Sequence, residues 1–321
     1  MASLSRYLIK RAVYTVIILF IILTLIFALF ESLPLKPEER LKTNPLVRPE
    51  QIESQRHLYG YDKPVQERYF LFMKNMITLD LGISFQTLQP VKDTIMERLP
   101  RTLLLVGGAT LITYAIGILA GALMAWRRGG LGDITTVVVS LVFYNMPSFW
   151  IGLIFLWAFA FKIPIFPLGG FMDPESNMPY FADILWHAAL PMTVLTLLGV
   201  AGTILLMRTS MLDVMNEPYM LTAVAKGLKP RTVLFKHGVR NAMLPVMTSF
   251  ILSIALSVGG AIITEQVFSY QGLGQLFIQS LSQLDHPVAM SITYILSLLI
   301  VIANFIADSI YGLLDPRVRI G

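Results

Sequence analysis

The 321 residues are 55% hydrophobic and only 14% charged, with a mean hydropathy of +0.67, against roughly 45–50% apolar and 25% charged in soluble domains. That balance excludes an ordinary soluble globular chain and predicts a polytopic membrane protein. The net charge of +5 is placed wrongly for nucleic-acid binding, and a chain without cysteine has no disulfide, thiolate metal site or Cys nucleophile.

Crossing roughly 30 Å of hydrocarbon takes about 20 mostly apolar residues in a helix. Six segments satisfy that requirement: 9–30, 103–126, 134–160, 188–207, 244–263 and 290–314. The expected fold is therefore all-α with six transmembrane helices. Residues 1–30 form the N-terminus and first helix, 31–101 an insertion, and 102–321 a five-helix core carrying a polar loop at 208–243. The first segment is too long for a signal-peptide core and has no A-x-A cleavage site after it, so it is expected to be retained.

Basic residues in the short loops set the orientation. Arg6, Lys10, Arg11, Arg127, Arg128, Arg208, Lys226, Lys229, Arg231, Lys236, Arg240, Arg317 and Arg319 fall on one face, whereas the short loops of the other face hold Lys162 alone. Both termini are expected in the cytoplasm. The insertion between the first two helices is long enough to cross regardless of its charge. Its first half is punctuated by Pro34, Pro37, Pro45 and Pro49. Its second half, "YGYDKPVQERYFLFMKNMITLDLGISF", alternates short helical patterns with turn signals at 62–64 and 81–82. A small, mostly helical extracellular cap is expected, the plainer alternative being a solvated spacer.

Within the third segment, "YNMPSFW" removes a backbone hydrogen bond at Pro147 and supplies Asn145 and Ser148 to satisfy the freed groups. Such a kink serves as a hinge or lines a solute path, and packing alone explains it equally well. In the fourth segment Gly199 and Gly202 are placed for close helix contact. Glu265 stands at the outer end of the fifth, either meeting a docking protein or capping a short outer helix. Asn304 and Asp308 share one face of the sixth, where a hydrogen bond to a neighbouring helix or to Tyr311 competes with a role in the solute path.

The passage 216–245, "NEPYMLTAVAKGLKPRTVLFKHGVRNAMLP", stands apart from its apolar surroundings. Asn216 or Glu217 is a candidate cap for a helix opening on Pro218. Leu221, Val224, Ala225 and Leu228 recur at i, i+3, i+4 and i+7, which makes one apolar face. Gly227 is placed to end the helix in a left-handed turn, and Pro230 to begin a second helix that would stop before Leu244-Pro245. Physics alone allows a basic amphipathic connector resting on anionic headgroups.

Read as "E-x-Y-x-x-T-A-x-A-K-G-L" followed by "K-H-x-x-R-N-A-x-x-P", the same passage resembles the EAA loop of ABC importer permeases, in the spacing of the peptide-transport branch. "RYLIKR", "YGYDKPVQERY", "LDLGISF", "PVKDTIMERLPRTLLL", "MPSFWIGLIFLW", "GGAIITEQVFSYQGLGQLF" and "NFIADSIYGLLDPRVR" extend the resemblance over nearly the whole chain. Two elements depart from it: "LPLKPEER" stands where that branch carries a proline-glycine-aspartate-proline element, and Gln271 stands where a proline commonly precedes glycine-leucine-glycine.

The resemblance implies a prokaryotic plasma-membrane importer of two six-span permeases, two cytoplasmic ATPases and an extracellular binding protein. It implies that Glu217, Tyr219, Leu221, Thr222, Ala223, Val224, Ala225, Lys226, Gly227, Leu228, His237, Asn241 and Pro245 form the loop that seats on an ATPase. Glu265, Gly272 and Gly274, on the outer side, are candidate contacts for the binding protein. The leading solute is a peptide, with an oligosaccharide as the alternative. No Walker phosphate loop and no H-x-x-x-H spacing occurs, so catalysis is not expected here, and ATP and magnesium belong to partner subunits. A channel or ion-coupled carrier acting alone is the rival reading, but no internal repeat supports it.

Overall fold

The computed structural model describes residues 4–33, 50, 53 and 62–314. Among these the regular structure is helical, and one isolated β-bridge pairs Ile83 with Pro90. The helices are α1 (Leu4–Glu31), α2 (Val65–Thr78), α3 (Val91–Trp126), α4 (Leu131–Tyr144), α5 (Ser148–Leu156, running into a π-helical turn at Trp157–Lys162) and α6 (Tyr180–Met215). They continue with α7 (Pro218–Ala225), α8 (Pro230–Thr232, running into a π-helical turn at Val233–Val239), α9 (Arg240–Val267), α10 (Leu273–Ser282) and α11 (His286–Leu314).

Four described helices are long and apolar enough to cross a bilayer: Ser5–Glu31, Val91–Trp126, Tyr180–Met215 and His286–Ser309. The expected third crossing is broken rather than continuous. Its halves, Leu131–Tyr144 and Ser148–Lys162, meet at 99° and count as a fifth crossing if taken as one. Pro147 explains the break, because it has no amide to donate and pushes the preceding residue out of the helical region. The expected fifth crossing, 244–263, lies inside α9. Helix α3 begins at Val91 and passes through Pro100, and α6 extends beyond the apolar stretch at both ends. At 1.5 Å per residue, 36-residue helices reach about 54 Å. Hydropathy marks only the part matched to lipid. The prolines at 34, 37, 45 and 49 lie outside the described residues, as do Arg317 and Arg319.

By contacts the chain forms two compact units, one made of Met1–Thr102 with Gln271–Gly321 and the other of Leu103–Tyr270. In the first, α1 packs along α11. The Tyr7 hydroxyl donates to the Asp308 carbonyl at 3.2 Å, and Arg11 Nη1 donates to Asp308 Oδ2 at 2.7 Å. The α2 segment of the insertion rests on α1 through a 2.8 Å Thr24–Tyr69 hydroxyl contact, an Arg68–Glu31 ion pair, and Phe27 against Tyr69 and Phe72. The turn after α2 is pinned by buried Asp285, whose carboxylate accepts from Ser84 Oγ at 2.5 Å and the Phe85 amide at 3.1 Å. Gly82 adopts φ +75° there, the turn signalled at 81–82. At the start of α10 the Leu273 amide donates to Thr102 Oγ1 at 2.8 Å.

The second unit is built around α6, against which α4, α5 and α9 pack. One buried cluster joins Leu105, Ile151, Val194, Phe268 and Tyr270. Another joins Tyr114, Ala122, Met207, Met211, Leu234, Ala242 and Val246. Helix α6 is approached closely at glycines by two neighbours: a Cβ at Gly199 would lie 2.9 Å from the Thr113 side chain of α3, and one at Gly202 3.0 Å from Tyr144 at the end of α4. Both glycines therefore permit close contact, as their positions in an apolar helix predict.

Candidate functional site

Helix α6 ends at Met215, and the chain turns at Asn216 into α7. Glu217 occupies the N-cap position with Pro218 directly after it, but no side-chain capping bond forms. Lys226 follows the last helical residue, its amide donating to the Thr222 carbonyl at 3.0 Å, and Gly227 then adopts φ +68°. This is the left-handed stop that the sequence required. A left-handed residue other than glycine costs roughly 1–2 kcal/mol.

Two faces of α7 behave differently. Met220 and Ala223 are buried with Val233 and pack on Trp126, Val214 and Met215, which fixes the helix to the body of the second unit. On the other side Leu221 and Val224 are 69% and 59% exposed, and Tyr219, Leu228 and Phe235 are also exposed. Ala225, Thr222, Glu217 and Lys226 are exposed as well. The expected apolar face is therefore open, with one correction: Ala223 is turned inward and is not available to a partner.

The second helix of the loop does not stop before Leu244-Pro245, as the sequence suggested. It runs from Pro230 through the π-helical turn into α9, with Pro245 inside the helix. The Asn241 side-chain amide donates to the His237 carbonyl at 2.9 Å. His237, Asn241 and Pro245 thus belong to one continuous rod. The wider π-helical turn loosens the helical hydrogen-bond ladder, and at Gly238 the rod comes close against the side chain of Met211.

A buried ion pair stands beside this loop. Asp133, at the start of α4, accepts from Arg208 Nε at 2.6 Å and Nη2 at 2.8 Å, and from the Gly129 amide at 3.0 Å. The aspartate side chain is 3% exposed and the arginine 25%. Paired fork-to-fork geometry gives both strength and a fixed orientation. It ties the turn at 127–130 to the part of α6 that leads into α7. In the sequence Arg208 registers only as a topological charge, and the signal for its partner is an acid one residue ahead of an apolar run.

Farther along the same unit, α3, α5, α6 and α9 enclose a cleft of about 260 Å³. Ser148 lines it together with Thr110, Thr113, Tyr114, Thr203 and Ser253. Of the residues expected in a hinge or solute path, Ser148 is there. Asn145 is exposed and donates to the Leu141 carbonyl at 2.6 Å, satisfying a backbone group freed near the break. Pro147 holds the N-cap position of α5. Asp308 lies in the other unit, where its carboxylate accepts from Arg11 of α1; Asn304 is half-buried one turn before it. The hydroxyls at 110, 113 and 114 were missed, although hydroxyl-bearing residues at i, i+3 and i+4 within an apolar span mark one polar face.

Glu265, Gly272 and Gly274, expected at a docking surface, are all buried. Glu265 is fully buried, and its carbonyl accepts from the Tyr270 amide at 2.8 Å. Gly272 instead forms the N-cap of α10.

Residues 117–320 match the family described as binding-protein-dependent transport system inner membrane component, and residues 4–106 match the N-terminal membrane component of such systems. The chain is 37% identical over 317 residues to the oligopeptide transport system permease protein AppB of Bacillus subtilis, covering 98% of this chain and 100% of the relative. It is 34% identical to the di/tripeptide transport system permease protein DppB of Pseudomonas aeruginosa, covering 92% and 93%. It is 32% identical to the dipeptide transport system permease protein DppB of Escherichia coli K12, covering 97% and 98%. With the apolar helices described above, these matches establish that the chain is a multi-pass prokaryotic membrane protein and belongs to the family of binding-protein-dependent transport system inner membrane components.

Proposed function

We propose that the chain is one of two permease subunits of an ATP-driven importer, carrying peptides handed over by an extracellular binding protein. The relatives named for oligopeptide, dipeptide and tripeptide transport favour a peptide over an oligosaccharide. In this reading the chain crosses the membrane six times with both termini inside, and the insertion ahead of α3 lies outside. The two ATPases bind the nucleotide and magnesium.

The observation that carries the mechanism is the open apolar face of α7. Leu221 and Val224 project from a helix whose opposite side is locked to the body by Met220 and Ala223. An ATPase groove closing over Tyr219, Leu221, Val224 and Leu228 would grip a rigid lever. Because α8 continues into α9 without a break, displacement of the lever is passed directly to a membrane-embedded helix, and rocking of helices between inward-open and outward-open states follows.

Two experiments test this reading. Replacing both Leu221 and Val224 with Asp should weaken retention of the ATPase subunits during detergent purification by tenfold or more, since burying each side chain contributes about 1.5–3 kcal/mol. Unaltered co-purification would instead favour a loop resting on lipid headgroups. Replacing Gly227 with Ile meets no steric obstacle, since no atom lies within 4 Å of its Cβ position, and acts only through the φ of +68°. Reconstituted with its partners, that variant should hydrolyse ATP while losing most uptake. Normal uptake would remove the coupling role.

A further inference from the structure

The hydroxyl-lined cleft in the second unit has a chemistry that restricts what it accepts. None of its lining residues is charged. The Thr203 hydroxyl donates its proton to the Gly199 carbonyl at 3.0 Å, and the Thr113 hydroxyl donates to the Thr196 carbonyl at 3.4 Å. The Tyr114 hydroxyl stands 2.7 Å from Ser253 Oγ and 2.8 Å from Ser249 Oγ. A hydroxyl has one proton and two lone pairs. At Thr113 and Thr203, where the proton is already given to a backbone carbonyl, the oxygen retains acceptor capacity only.

We propose that this cleft is a station for the main chain of a passing peptide, whose N–H groups the Thr113 and Thr203 hydroxyl oxygens accept. The proposal rests on the importer reading above and names the group recognised within it. Neutral hydroxyl acceptors bind amide N–H groups whatever side chains accompany them, and the uncharged lining offers no counter-charge that would favour an acidic or a basic side chain. It also holds weakly. Each hydrogen bond adds little net affinity after its exchange with water, which suits a site that a solute must leave as readily as it enters. At about 260 Å³ the cleft falls just below the roughly 300–1,000 Å³ of pockets that enclose a whole small ligand, so it takes a short stretch of a peptide. Ser148 is the first residue of α5 after the 99° break, so a change of angle there alters the cleft wall directly.

The absence of native cysteine in this chain makes the test direct. Single Ser148→Cys and Thr135→Cys variants are assembled with the partner subunits in proteoliposomes, the second as a control in a separate surface groove between α4 and α6. During ATP turnover with the cognate binding protein, trialanine should slow thiol labelling of the variant at 148 and leave the variant at 135 unchanged. In a second arm, uptake of trialanine is compared with that of its backbone N-methylated analogue. Thr203→Val, close in shape, should reduce the preference for trialanine by about tenfold, the size of one lost hydrogen bond, and Thr203→Ser should restore it. The binding protein is the same throughout, so its own selectivity cancels. Equal labelling with and without trialanine, or an unchanged preference in Thr203→Val, would overturn the station while leaving ATP-dependent uptake, and hence the importer reading, intact. Absence of ATP-dependent peptide uptake by the unsubstituted transporter would overturn both.

Discussion

Replacing Arg208 with Ala is expected to destabilise the protein by about 3–5 kcal/mol, the cost of removing one partner of a buried ion pair. Asp133, 3% exposed with the pair in place, would keep only the Gly129 amide at 3.0 Å from this cluster. The reciprocal change, Asp133→Ala, should cost less, roughly 2–3 kcal/mol, because Arg208 is one-quarter exposed and its guanidinium keeps access to water. Two changes that delete the same contact thus differ in effect according to which charge is stranded. Thermal unfolding in detergent measures both. The double variant should be less destabilised than the sum of the single variants, and strict additivity would mean the pair is not coupled. The pair also bears on transport, because it fastens the turn at 127–130 to the end of α6 from which α7 departs. A lever on a loosened base moves without pulling its helix, so uptake should fall further than ATP hydrolysis in both single variants.

Substituting Gly121 should be equally damaging for a different physical reason. A Cβ there would lie 2.7 Å from the Ile204 carbonyl oxygen, 2.8 Å from Met207 Cβ and 3.1 Å from the Arg208 amide nitrogen. Two of these are backbone atoms of α6 and have no rotamer to escape into, so α3 and α6 must move apart along a contact that also includes Gly117 and Gly199. Even Gly121→Ala should destabilise by about 1–3 kcal/mol, and Gly121→Leu by more. Gly132 provides the control: its Cβ position is open, and Ala there gains helix propensity. A thermal midpoint for Gly121→Leu equal to that of Gly132→Ala would show that the close approach does not constrain the interface.

The residues of the coupling loop were legible because each feature is local. Pro218 at a helix start, Gly227 at a left-handed stop and apolar residues at i, i+3, i+4 and i+7 need no partner to declare themselves. Which of two alanines faces the body was not legible. Ala223 and Ala225 are identical in composition and two positions apart; only the packing of Trp126, Val214 and Met215 against α7 turns the first inward. The continuation through Pro245 was misread for a similar reason. Proline is a local break signal, but a rod already in helical register at Asn241 extends through it, as α3 extends through Pro100. At Pro147 the same residue type does end a helix.

The sequence by itself determined the class of protein, the rough extent of its apolar helices and the family, since these depend on composition, on hydropathy summed over about 20 residues and on short motifs. Tertiary structure alone decided which polar side chains meet. Asp133 with Arg208, Asp308 with Arg11, Ser84 with Asp285, and the six hydroxyls of the cleft are brought together from positions far apart in the chain. No periodicity encodes such pairings. For the cleft hydroxyls of α3 and α6 the helix–helix approach is set at glycines such as Gly121 and Gly199, where the missing side chain lets one helix come within reach of the other.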